Sequence, residues 1–140
     1  MSAYISPPLK ATVRAEFRNC CAYCQTPEGL TTTTFEIEHI VPLSAGGKTE
    51  VSNLCLACPT CNRNKSNLQT ALDFEDGHIV PLFHPNLQNW EDHFSWSNEF
   101  SEIIGQTAIG RATITLLRVN RPELVRMRKL WKKLGEFPVR

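Results

Sequence analysis

Apolar residues first recur at four-residue spacing, as Leu9, Val13 and Phe17. That period marks one face of a helix. Ser6-Pro7-Pro8 supplies an N-cap and a proline at the first turn, so the helix should run to about Asn19. The period then changes to two. Phe35 and Ile37 share one strand face, Glu36 and Glu38 share the other, and His39 falls on the apolar side. Ser44 to Lys48 is a turn, because its paired glycines reach positive φ cheaply. Asn53 to Leu56 reads as a returning strand, and Cys58-Pro59 should open a helix to about Leu68.

The second half has its own rhythm. Leu72 to Phe83 predicts a hairpin, with Asp76-Gly77 as a type I′ turn signal. Phe94 and Trp96 alternate on a further strand, and Asn98 offers a turn before Ile103 and Ile104. Thr107 should cap a helix with Ile109, Ala112, Leu116 and Val119 on its apolar stripe. Asn120-Arg121-Pro122-Glu123 resembles a capping box opening a last helix. Leu124, Met127, Trp131 and Leu134 form the side expected to be buried. There is no internal repeat and no low-complexity linker.

Composition adds limits. A chain of 140 residues suits one domain with a modest core, and no apolar run approaches a membrane span. The N-terminal residues lack an apolar secretory segment, so a cytoplasmic location with reduced cysteines is the expectation. The net charge of +1 is unevenly spread. Residues 118–140 carry +6, while no Lys or Arg occurs between Lys65 and Arg111. Such a chain can orient on a polyanion, although an ordinary solvated helix face gives the same pattern.

The cysteines carry the strongest chemistry. Cys21-x-x-Cys24 and Cys58-x-x-Cys61 are two knuckles with 33 residues between them. Two thiolate pairs make a closed tetrahedral site that suits structural zinc. A redox pair is the competing reading, but such motifs usually come singly. Cys20 breaks the knuckle spacing, and Cys55 sits between leucines as a small core residue.

Between the knuckles lie Glu38-His39-Ile40-Val41-Pro42-Leu43, Gly46-Gly47 and Asn53-Leu54, and Cys58-x-x-Cys61-Asn62-x-x-Lys65 closes the run. This pattern resembles the HNH endonuclease motif in its zinc-supported form, over about Cys21 to Asn67. The resemblance implies a ββα-metal core; with the four-cysteine zinc site, the N-terminal helix and a C-terminal hairpin-plus-two-helix extension read from the pattern, the expected fold class is α+β. It implies His39 as general base, Asn62 and Glu38 as ligands of a catalytic Mg²⁺ or Mn²⁺, and Asn53 as the residue tying the strands and the histidine loop together. Glu38 stands where the family more often has Asp or His, and Glu36, two residues earlier, is a second candidate for that ligand.

Lys65, one helical turn past Asn62, would meet a phosphate; with Arg63 and the helix carrying Lys129, Lys132 and Lys133 it would hold the DNA backbone. Trp90-x-x-His93-Phe94-x-Trp96 and Gly105-x-Thr107-x-x-Gly110-Arg111 resemble the extension of small stand-alone HNH proteins and bring no known chemistry. His78, His84 and His93 match no metal spacing and read as structural. The expected organisation is a nuclease core over 1–70 with 71–140 packed on it as one compact domain. The expected activity is metal-dependent DNA hydrolysis of low sequence specificity, with no membrane association and an undetermined oligomeric state. The rivals are a zinc-stabilised nucleic-acid-binding module without catalysis and a protein-interaction domain using the acidic segment from Asp73 to Glu102.

Overall fold

The computed structural model describes residues 3–139, so Arg140 of the basic tail lies outside the described residues. It has two units, one reaching Leu68 and including His84–Leu87, the other comprising Gln69–Phe83 and the chain from Gln88 onward. No helix among the described residues is long and apolar enough to cross a membrane.

In the first unit, α1 (Pro7–Glu16) begins where Ser6 accepts a hydrogen bond from the Leu9 amide at 3.3 Å. Its buried Val13 faces inward. β1 (Glu36–His39) pairs antiparallel with β2 (Leu54–Ala57), with Glu36 opposite Ala57 and His39 opposite Leu54. Every residue of β2 is buried. α2 (Pro59–Lys65) follows with Cys58 as its N-cap, completing a strand–strand–helix core. The start of β1 is fixed by two side chains. Glu28 accepts from the Phe35 amide at 2.7 Å, and Arg14 donates to the Phe35 carbonyl at 3.0 Å.

The second unit holds two small hairpins and the C-terminal helices. β3 (Thr70–Leu72) pairs with β4 (Ile79–Pro81), and β5 (Phe94–Trp96), after the short α3 (Trp90–His93), pairs with β6 (Ile103–Gly105). The first hairpin differs from the two-residue turn expected at Asp76-Gly77. Asp73 to His78 form a longer loop, because the buried Asp73 carboxylate pairs with Arg111 at 2.8 Å and draws the chain inward.

Thr107 does cap α4 (Ala108–Leu117), accepting from the Gly110 amide at 3.1 Å. α5 (Pro122–Lys133) lacks the expected capping box. Asn120 is occupied elsewhere, since its amide bridges both backbone groups of Ile103 at 2.8 Å. The buried face of α5 also differs from expectation. Leu124 and Trp131 are buried, but Met127 and Leu134 are exposed, and Arg128 is the side chain between them with no exposure at all. The Arg128 guanidinium donates to the Ser101 and Val119 carbonyls and stacks 5.3 Å from the Trp96 ring centroid. Those bonds satisfy a charge that would otherwise stay in water.

Candidate active site and metal centre

The two knuckles converge. The ligand atoms of Cys21, Cys24, Cys58 and Cys61 all lie within 4.8 Å of one another, and all four residues are buried. The Cys24 and Cys58 sulfurs are 3.7 Å apart, close to the ~3.8 Å separation set by tetrahedral Zn–S bonds of about 2.3 Å. The first knuckle turns because Gln25 adopts φ 63° and the Cys21 amide donates to Thr26. It is tied to the sheet by the Ala22 amide, which donates to the Leu56 carbonyl at 2.8 Å. The second knuckle rides on the helix start, where the Cys61 amide donates to Cys58 Sγ at 3.4 Å. Four thiolates this close together repel one another, and a cation held among them offsets that repulsion. The donor set and its spacing fit a structural zinc. Cys20 and Cys55 stand outside this cluster.

The loop between β1 and β2 is organised by Asn53. Its Oδ1 accepts from the Val41 amide at 2.8 Å, and its Nδ2 donates to the Val41 and Lys48 carbonyls, each at 3.0 Å. Gly47 lies so close beneath that a Cβ there would collide with the Val41 carbonyl. Asn86, which no sequence pattern singled out, donates through Nδ2 to the carbonyls of Val51, Ser52 and Leu54. It therefore holds the segment that carries Asn53. His39, half-buried at the end of β1, places Nε2 2.8 Å from Thr49 Oγ1. Burial lowers its pKa, which keeps the ring neutral at neutral pH.

The glutamates separate. Both lie on the β1 face that meets α2, and the helix covers them unequally. The Asn62 amide donates to Glu36 Oε1 at 3.0 Å in an exposed position. Glu38 is only 6 % exposed and lies beside Lys65, which is 2 % exposed; their ion pair measures 3.6 Å. Lys65 also donates to the Ile40 carbonyl at 2.9 Å, and Cys55 donates to Glu38 Oε2 at 3.4 Å. Burial raises the Glu38 pKa against the opposing pull of Lys65.

Two expectations are thereby corrected. Lys65 is an internal strut under the histidine turn and does not reach out to phosphate. Glu38 faces that strut, so the acid presented beside Asn62 is Glu36. The cause is helical spacing, which puts Asn62 and Lys65 one turn apart over alternate residues of one strand face. Lys65→Met should cost about 3–5 kcal/mol, because it strands a buried carboxylate. Urea unfolding would measure this, and an unchanged midpoint would mean that the pair is not coupled to stability.

Arg63 is exposed on α2. Lys129, Lys132 and Lys133 are exposed in the second unit around an open concavity shared with Glu99, and Lys132 lies 5.9 Å from the Phe100 ring centroid. Residues 21–68, about a third of the chain, match the family model described as HNH endonuclease. Neither the curated proteins nor the solved structures compared with the chain give a match. The paired strands, the helix and the four clustered cysteines all lie inside the matched span, so residues 21–68 are similar to the domain described as HNH endonuclease.

Proposed function

We propose that this protein is a metal-dependent DNA endonuclease in which His39 is the general base. The observation that carries the reading is the placement of His39: a half-buried ring at the end of a strand, next to a turn held by Asn53 and Lys65. In the reaction a water oxygen forms a bond to phosphorus, its proton passes to the imidazole, and the bond from phosphorus to the 3′ oxygen breaks. A neutral imidazole is the form able to accept that proton. Lys65 and Asn53 take no part in the chemistry; they hold the turn on which the base is mounted.

Asn62 and Glu36 are the residues suited to hold a divalent cation. Turning the Asn62 amide over replaces its N–H with Oδ1 and sets two hard oxygens side by side, a donor set that favours Mg²⁺ or Mn²⁺. A cation bound there supplies charge stabilisation for the phosphate oxygens and the leaving oxygen. Arg63 on the core, and Lys129, Lys132 and Lys133 on the second unit, are exposed cations suited to backbone contacts, which favours weak sequence specificity.

Supercoiled plasmid incubated with Mg²⁺ or Mn²⁺ should be nicked, and EDTA should stop the nicking. DNA binding without nicking under any divalent cation would replace this reading with a zinc-stabilised binding module.

A further inference from the structure

We infer that Thr49 is the positioning residue of the catalytic histidine: its hydroxyl anchors His39 Nε2 and leaves Nδ1 as the atom that accepts the proton from water. The inference rests on the reading of His39 as general base. The anchoring contact is short, 2.8 Å from Nε2 to Oγ1, and Nδ1 has no hydrogen bond among the described residues.

A neutral imidazole carries one N–H and one lone pair. If the threonine oxygen accepts from Nε2–H, the lone pair sits on Nδ1 and is free to take a proton. If the hydroxyl instead donates to Nε2, Nδ1 bears the hydrogen and the ring has no unoccupied basic atom. The assigned arrangement therefore fixes both the direction of the hydrogen bond and the tautomer.

Thr49 is itself delivered by a rigid loop. The Lys48 carbonyl is held by Asn53 at 3.0 Å, the Gly47 amide donates to the Pro42 carbonyl at 3.0 Å, and the Glu50 carbonyl accepts from the Asn53 amide at 2.9 Å. Residues on both sides of Thr49 are thus pinned. Its branched side chain has a restricted χ1, so the hydroxyl stays where the loop puts it. Sequence reading overlooked Thr49 because a threonine in a Gly-rich turn has no pattern of its own.

The test uses the full, zinc-loaded chain with ¹⁵N-labelled histidine. Thr49→Val keeps the branched shape and removes the hydroxyl, whereas Thr49→Ser keeps the hydroxyl. The wild-type His39 signals should place the proton on Nε2. Thr49→Val should shift them towards a mixture of tautomers and lower kcat for plasmid nicking about tenfold to hundredfold, with KM little changed. Thr49→Ser should retain the wild-type spectrum and most of the rate. A wild-type ring protonated on Nδ1, or a folded Thr49→Val chain with an unaltered His39 spectrum, would overturn the inference. A chain that never nicks DNA would remove the base reading, yet the nitrogen spectra would still decide whether Thr49 sets the ring.

Discussion

His39→Ala should lower metal-dependent DNA cleavage by about 10²–10⁴-fold, the range that a positioned general base contributes. Zinc content and fold should stay at wild-type values. The ring is half-buried, sits at the last position of β1 and, among the described residues, has one side-chain hydrogen bond, to Thr49. Losing one such bond costs about 1 kcal/mol, too little to unfold a domain. The backbone pairing of His39 with Leu54 does not need the imidazole. The wild-type pH profile gives an independent check. The base works only when neutral, so activity is lost as falling pH protonates the ring. Burial holds the His39 pKa below the ordinary histidine value, so the acid limb should lie below about pH 6.5, with full activity at neutrality. A variant that nicks plasmid at the wild-type rate, with zinc still bound, would end the assignment.

The parts of this site that local pattern can carry were legible in the sequence. The spacing of Cys21, Cys24, Cys58 and Cys61 announces a four-thiolate cluster, and the fold brings those sulfurs together. The alternation around Ile37 and the run from Leu54 to Leu56 announce the strand pair. Side chains whose partners lie far along the chain were not legible. A lysine on a short helix reads as solvent-facing, because charged residues are seldom buried unless paired. Lys65 is buried because β1 offers it both the Glu38 carboxylate and the Ile40 carbonyl. Arg128 is a second instance. Periodicity assigned Met127 and Leu134 to the inner face of α5, while Arg128 found its acceptors in Ser101, Val119 and Asn120. Asn86 and Thr49 bond to loops whose paths only the folded chain defines. Buried charge and side-chain clamps on loops are tertiary facts, and they decide which glutamate faces Asn62.

Removing zinc should unfold the first unit. β1 and β2 are four-residue strands, and a two-stranded hairpin is marginal by itself in water. α2 has seven residues, too few to persist alone. What closes these pieces into one body is the thiolate cluster, which joins the Cys21–Cys24 turn to the start of α2 across the whole β1–β2 segment. Structural zinc in such sites contributes about 10–16 kcal/mol at neutral pH, as much as the total stability of a typical domain. Cys58→Ser should therefore abolish stoichiometric zinc, as read by elemental analysis. It should also erase the dispersed amide signals of residues 21–68 and stop cleavage, although Cys58 lies outside the proposed catalytic set. Cys20→Ala, at a buried cysteine outside the cluster, should keep its zinc. The two variants separate metal loss from the general cost of altering a buried cysteine. If a chelator stripped the metal and amide dispersion, thermal midpoint and nicking all survived, the four cysteines would be packing residues, and the rigidity of the histidine loop would have to come from Asn53 and Lys65 alone.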